Sequence, residues 1–229
     1  MKHRLAALLV SVVALAACSQ SNQAASTSTP APAPSISNPV AFPLYTGAHV
    51  LAAKNYTQSA NPAGAATSAS ALSEGGGTYS GHEVIASSTA SFPALSAWVH
   101  SLAAKPPVGY TVAASENLNE ARAQANRVGL DFASFQTQQN GKKVGLLVVV
   151  MDPTLVTTKL GPVLDLIGKY RLLPSAMRAT IDSRVQARIG MSVTQAMQPD
   201  SPVGAALSAL DQFQHTNARG ILLIDATKQ

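Results

Sequence analysis

The stretch KKVGLLVVVM, Lys142–Met151, determines more of the architecture than any other part of this chain. Val144–Met151 is apolar at nearly every position, which predicts a strand covered on both faces rather than one with a solvent-facing side. The pair Asn140-Gly141 precedes it, and this pair is preferred in the type I′ turns of hairpins. We therefore expect Arg127–Gln138 to fold back as the neighbouring antiparallel strand.

A two-residue hairpin turn also sets which residues lie opposite one another. In this hairpin it places Leu130 across from Met151 and Phe132 across from Val149. Because a strand buried on both faces needs two covering layers, the segments before and after the hairpin should supply helices. An earlier strand is expected at Thr78–Ser88.

An amphipathic helix follows that earlier strand. Ser91 is placed to cap it, and Pro93 falls in its first turn, where proline is tolerated. Apolar residues then recur at i, i+3, i+4 and i+7, the period of one helix face. These residues are Leu95, Trp98, Val99 and Leu102. Trp98, the only tryptophan, is expected to anchor this helix in the core.

The last third of the chain is predicted to be helical and to end in a strand. One helix is expected behind Gly161-Pro162, a second up to Gly190, and a third from Ser201-Pro202. Their inward residues are expected to be Val163, Leu166, Ile167 and Tyr170, then Met177, Ile181, Val185 and Ile189, then Val203, Ala206, Leu207 and Leu210. Ile221–Ile224 should return to the sheet as a last strand. The expected fold is a single α+β domain with a mainly antiparallel sheet.

The N-terminus carries a separate signal. Met1–Arg4 is basic, and Leu5–Ala17 is an uncharged apolar run of the length of a secretory signal peptide. It ends in Leu15-Ala16-Ala17-Cys18, which resembles the lipobox of bacterial lipoproteins and contains the only cysteine. The resemblance implies cleavage before Cys18 and fatty acylation of that residue. The alternative is an ordinary cleaved signal or a transmembrane anchor.

Acylation of Cys18 has consequences for location and chemistry. Two or three acyl chains give stable anchoring, whereas one binds a membrane only marginally. Ser19, in the position after the cysteine, resembles lipoproteins sorted to the outer membrane, so the body is expected to face the periplasm. With Cys18 modified, no thiol remains for a disulfide, a metal site or a nucleophile.

The predicted organisation is a signal peptide at 1–17, a tether at 18–43 and one domain at 44–229. The tether is rich in Ser, Thr, Ala and Pro and carries no charge, so we expect an extended spacer. Tyr45-Thr46-Gly47-Ala48 resembles the Tyr-Pro-Gly-Ala turn that opens domains of some exported lipoproteins, which implies no activity. A low-complexity stretch at 57–77 is expected to be a mobile loop.

No catalytic or cofactor motif is recognisable in the sequence. The histidines of the mature chain, His49, His82, His100 and His215, show no metal-ligand spacing. Asp211 and His215 are four residues apart on a predicted helix, where stabilisation of that helix is the simpler explanation. No catalytic residue, metal or cofactor is therefore assigned. If a hydrolase site forms only in the fold, its candidates are His82, Asp211, His215 and Asp225.

A binding or assembly role in the cell envelope fits these features better. Arg178, Arg184 and Arg188 are placed to share part of one helix flank, where they could face anionic lipid or an acidic envelope protein. An ordinary solvated helix face is the simpler explanation. Aromatic residues make up only 5% of the chain, which argues against stacking sites for nucleic acid. The sequence thus predicts a lipid-anchored, non-enzymatic binding module, with an envelope hydrolase as the alternative.

Overall fold

A computed structural model describes most of the compact unit Ser35–Gln229 of this protein. The residues described are 36–60, 69, 77–113, 118–189, 192–193, 197–213 and 216–229. They form one antiparallel sheet of six strands packed with helices, which confirms the predicted α+β fold. No helix among these residues is long and apolar enough to cross a membrane.

The sheet places the last strand of the chain near its centre. Its strands are β1 His49–Ala60, β2 Gly77–Ser88, β3 Thr111–Val112, β4 Leu130–Gln139, β5 Lys142–Met151 and β6 Arg219–Lys228. Their spatial order is β1-β2-β6-β5-β4-β3, and every neighbouring pair is antiparallel. The predicted return of the C-terminal strand to the sheet is confirmed, and it separates β2 from β5.

The hairpin of β4 and β5 forms in the predicted register. Asn140 and Gly141 both have positive φ, 51° and 73°, as a type I′ turn requires. Leu130 pairs with Met151, and Phe132 pairs with Val149. Residues 144–151 of β5 are all buried, so this strand is covered on both faces as its composition predicts.

Helices cover both faces of the sheet. They are α1 Phe92–Ala104, α2 Leu118–Arg127, α3 Pro153–Arg171, α4 Ser175–Ile189 and α5 Pro202–Ala209, with a 3₁₀ turn at Leu210–Phe213. α1 packs over one face through Leu95 and Val99, and α5 packs over the other through Ala205, Ala206 and Ala209. Ser91 caps α1 as predicted, and Ser201 caps α5, whose predicted start at Ser201-Pro202 is confirmed; each serine side chain accepts the main-chain N–H three residues on.

The helix expected behind Gly161-Pro162 begins eight residues earlier, at Pro153. Asp152 caps it, since its Oδ1 accepts hydrogen bonds from the main-chain N–H groups of Thr154 and Leu155 at 3.1 and 3.2 Å. A capping aspartate followed by proline at the first helical position is a complete start signal. The helix then continues through Gly161-Pro162.

Two residues expected in the core are partly exposed. Trp98 is half-buried and packs edge-on against Tyr45, with ring centroids 5.8 Å apart. Met177 is 54% exposed on α4. Periodicity identifies the apolar face of a helix but not how closely the sheet approaches it. Leu95 and Val99, on the same stripe as Trp98, provide the buried contacts of α1.

The folded unit includes residues that the sequence assigned to the tether. Val40 and Phe42 are buried, and the Phe42 ring lies 5.0 Å from the rings of Phe135 and Tyr110. Residues 57–60, assigned to the loop, belong to β1. Apart from Ala69 and Gly77, the remainder of the 57–77 stretch lies outside the described residues, as do the signal peptide and most of the tether.

Candidate functional site

A small pocket with several charged residues in its lining opens where β1, β2 and β6 meet the segment that precedes α5. Its volume is about 150 Å³, and Lys54, Glu83, Ile224 and Asp200 line it. Lys54, Glu83 and Ile224 lie directly opposite one another on the three strands, so the sheet register aligns them in one row. Asp200 closes the row from outside the sheet and is fully buried.

Glu83 is the unusual member of this pocket. Its side chain is only 5% exposed, and its Oε2 lies 3.1 Å from the Nζ of Lys54. Its Oε1 is buried and receives no hydrogen bond from the part of the chain that the structure describes. A buried acceptor without a donor costs about 1–3 kcal/mol, and more for a charged group. Native proteins keep few such atoms, so each calls for a physical explanation.

Tyr56 forms the side of the pocket next to a break in the pairing of β2 with β6. The break lies between Ser80 and Glu83 of β2. Its hydroxyl donates a hydrogen bond of 2.5 Å to the main-chain oxygen of Asp225. Burial is the largest cause that raises the pKa of the Tyr56 phenol above its usual range, and the negative charges of Asp200, Asp225 and Glu83 add to it. The carboxylates of Asp200, Asp225 and Glu83 therefore all lie near enough to this phenol to disfavour its ionisation.

The same break brings two of the predicted hydrolase candidates together. His82 Nδ1 lies 3.1 Å from both carboxylate oxygens of Asp225, and the His82 main-chain N–H donates to Asp225 Oδ1 at 2.6 Å. The His82 side chain is 39% exposed and that of Asp225 13%. Of the other two candidates, Asp211 is exposed on the 3₁₀ turn and His215 lies outside the described residues.

A second polar cluster, which no motif in the sequence predicts, surrounds Asp131 on β4. This carboxylate is fully buried, and its Oδ1 accepts from Arg122 Nε at 3.0 Å and from the Phe132 main-chain N–H at 2.8 Å. Its Oδ2 lies 3.0 Å from His100 Nε2 and accepts from the Ser96 hydroxyl at 2.5 Å. In the sequence, the one indication of this cluster is that a charged residue, Asp131, stands between the two core residues Leu130 and Phe132.

The cluster contains Asp, His and Ser, but its hydrogen bonds are not those of a catalytic triad. In a triad the hydroxyl bonds to the imidazole, which then removes its proton. Here the Ser96 hydroxyl and the His100 ring both contact the same oxygen of Asp131. The arrangement surrounds a buried carboxylate with donors, and α1 supplies two of them.

The remaining predicted site residues stay apart from these clusters. Arg178 and Arg184 are exposed on α4, and Arg188 belongs to the same helix. Cys18 lies outside the described residues. Within the described ranges, no group of three or more His, Cys, Asp or Glu side chains is arranged to hold a metal ion.

Comparison with known proteins adds no family to this description. No known protein family, no curated protein and no solved structure matches the chain.

Proposed function

We propose that this chain is a lipid-anchored protein of the bacterial cell envelope whose folded body serves as a binding or assembly module. The observation that carries the proposal is the order of the N-terminal features: a basic start, a short apolar run, the lipobox cysteine Cys18 and an uncharged tether. That order delivers a folded domain to the periplasmic side of a membrane and holds it there. Ser19 favours the outer membrane.

The geometry of the body supports binding rather than hydrolysis. Glu83, which lines the pocket, has a buried carboxylate oxygen that is not engaged by a described donor. Such an atom is costly in the free protein and is compensated when a ligand supplies the donor. The exposed Arg178 and Arg184 on α4 add a second surface, suited to an anionic lipid or an acidic envelope protein.

An envelope hydrolase remains the second candidate. The observation that favours it is the contact of His82 with Asp225, since a carboxylate commonly orients a catalytic imidazole. Among the described contacts, the Tyr56 hydroxyl reaches this pair, but it donates to the main chain of Asp225. A nucleophile activated by His82 would have to come from outside these contacts.

Replacement of the predicted anchor tests the proposed location. In Cys18→Ser, we expect the chain to stay unprocessed and to lose its acyl chains, because acylation and cleavage both require the cysteine thiol. Metabolic labelling with a fatty acid, followed by membrane fractionation and mass measurement of the N-terminus, reads out both steps. A matched control is Ser19→Ala, which keeps the thiol and should still be labelled and cleaved. A normally processed, membrane-bound Cys18→Ser protein would contradict the proposal.

A further inference from the structure

From the distribution of charge we infer a binding site for a phosphate monoester at the end of the sheet where β5 begins and β6 ends. A cavity of about 270 Å³ opens there, and its lining residues are Lys142, Lys143, Lys228 and Gln229. Such a site would give the proposed binding module, on which the inference rests, a defined class of ligand.

Two of these lysines lie directly across from each other on neighbouring strands. The register of β5 with β6 pairs Val144 with Thr227. Continued by one residue, this register sets Lys143 opposite Lys228. Side chains in such a pair share one face of the sheet, with their Cβ atoms about 5 Å apart, and like charges placed there repel. The two ammonium groups therefore destabilise this end of the sheet unless an anion lies between them.

The described part of the chain supplies no such anion. Four lysines and arginines in the described ranges are half-buried: Arg122, Lys143, Arg219 and Lys228. The Nε of each arginine lies next to an aspartate oxygen, at 3.0 and 2.9 Å. Neither lysine forms an ion pair with a described residue. A partly buried cation is ordinarily compensated by an anion, so these two positions favour one that comes from outside the chain.

Packing restrains Lys228 and leaves the cavity accessible. A Cβ added at Gly77 would lie 3.2 Å from Cε of Lys228 and 3.9 Å from its Cγ, so the lysine stem lies over this glycine. A restrained side chain loses less conformational entropy when a ligand binds. Lys142 and Gln229, which complete the lining, are exposed, so a ligand can reach the site from solvent.

The charge and size of the site favour a phosphate monoester over a carboxylate. None of the described lining residues has an acidic side chain, and even with a chain-terminal carboxylate at Gln229 counted against the three lysines, an excess of two positive charges remains. A phosphate monoester carries about −1.5 to −2 at pH 7. Lysine is a common point-charge ligand of phosphate. The cavity is slightly smaller than the roughly 300–1,000 Å³ of drug-sized sites, which suits a phosphate with a small attached group.

Titration calorimetry of the full-length protein in an uncharged detergent at low ionic strength, with glycerol 3-phosphate as the probe, tests the site. We expect saturable binding by the wild-type protein and about tenfold or greater loss of affinity when Lys143→Met and Lys228→Met are combined. Methionine keeps an unbranched stem and removes the ammonium. The matched control combines Lys159→Met with Lys169→Met, which removes two charges from exposed positions on α3 and should bind as wild type does.

A stability measurement separates a ligand site from a structural role. Since the two ammonium groups repel each other, Lys228→Met alone should raise the urea midpoint of the free protein while it weakens binding of the probe. Glycerol 3-phosphate should raise the midpoint of the wild type but not that of the Lys143→Met, Lys228→Met protein. Undiminished binding by this double variant, an equal loss in the α3 control, or a lower urea midpoint for Lys228→Met would overturn the inference.

Further probes test the ligand class. Dimethyl phosphate and acetate each carry a single negative charge, so both should bind about tenfold or more weakly than glycerol 3-phosphate. Glycerol, which has no charge, should not bind. Equal affinity for acetate or for dimethyl phosphate would overturn the assignment to phosphate monoesters.

One additional probe distinguishes the natural sources of the same chemistry. Phosphatidic acid in mixed micelles presents the monoester on a lipid, whereas glycerol 3-phosphate presents it in solution. Tighter binding of phosphatidic acid assigns the site to a lipid headgroup, and equal or weaker binding assigns it to a soluble phosphate. The anchor is tested separately by Cys18→Ser, so a failure of phosphate binding leaves the proposed location standing.

Discussion

At the scale of single residues, this protein buries more charge than its composition suggests. Charged residues make up only 12% of the chain, yet Asp131, Asp200 and Glu83 are each less than 5% exposed. A buried carboxylate is stable only when donors compensate it. Asp131 has four donors, whereas Glu83 has Lys54 on one oxygen and none from a described residue on the other. The first arrangement stabilises the fold, whereas the second leaves one buried carboxylate oxygen without a described donor.

Removal of the Asp131 carboxylate should destabilise the protein strongly. Asp131→Ala leaves the Arg122 guanidinium, which is 13% exposed, without its partner, and breaking such a buried pair costs about 3–5 kcal/mol. Urea unfolding followed by circular dichroism measures the loss in the free energy of unfolding. His100→Ala serves as the control and should cost about 1 kcal/mol or less, since His100 is 58% exposed. Equal effects of the two variants would contradict the role given to Arg122.

At the scale of secondary-structure elements, the interruption between β2 and β6 positions both the pocket and the His82–Asp225 pair. The strands are in register from Tyr79 to Ser80 and again from Glu83 onward. Between these segments the carbonyl of Asp225 approaches Gly81 so closely that a Cβ there would lie 1.9 Å from its oxygen. The same carbonyl accepts the hydroxyl of Tyr56 from β1. Glycine at 81 is therefore what permits three strands to meet at this point.

Gly81→Ala should separate β2 from β6 locally. The added methyl group would clash with main-chain atoms that cannot rotate away, so we expect a loss of about 1–3 kcal/mol in the free energy of unfolding. Hydrogen exchange should show faster exchange of the His82 amide, whose bond to Asp225 depends on the same geometry. Gly47→Ala is the control, because its site is open and only its positive φ opposes the substitution. Unchanged protection of the His82 amide would contradict the interpretation.

At the scale of the whole molecule, two cores lie on opposite faces of one sheet. Leu222 and Ile224 of β6 point into one, while Ile221 and Leu223 point into the other. β6 joins the two halves of the sheet, since it pairs with β2 on one side and β5 on the other. The last strand of the chain must therefore be in place before the sheet is complete.

The buried phenol of Tyr56 predicts how the stability of the whole molecule depends on pH. Its pKa is raised in the folded state, so above about pH 10 the unfolded chain releases this proton while the folded protein keeps it. Stability is therefore retained below about pH 10 and falls as the pH rises further. Tyr56→Phe should flatten that fall in urea titrations between about pH 9 and 12.

The control for this measurement uses a second tyrosine. Burial also raises the pKa of Tyr110, with a smaller contribution from Asp225, so Tyr56→Phe should leave part of the alkaline dependence. The double replacement Tyr56→Phe and Tyr110→Phe should remove more of it. At pH 7 the single Tyr56 variant should lose about 1 kcal/mol, the contribution of its hydrogen bond to Asp225. An alkaline slope that is the same in all three proteins would contradict the assignment.

The sequence by itself determined the features that depend on neighbouring residues. Asn140-Gly141 predicts the hairpin and its register, and the apolar run 144–151 predicts a strand buried on both faces; the structure has both features. The serine caps of α1 and α5 are local as well. Local backbone preferences and the period of apolar residues act over a few positions, so both can be predicted from the sequence without knowledge of the tertiary structure.

Only the tertiary structure decided what lies in the pocket and in the buried clusters. Lys54, Glu83 and Asp200 are far apart in the chain and meet because β1, β2 and β6 align them with the segment before α5. Asp131 gave a visible signal, but its donors come from α1 and α2, which periodicity does not place. The physical reason is that burial and pairing of charge depend on which elements pack together, and packing is a property of the whole chain.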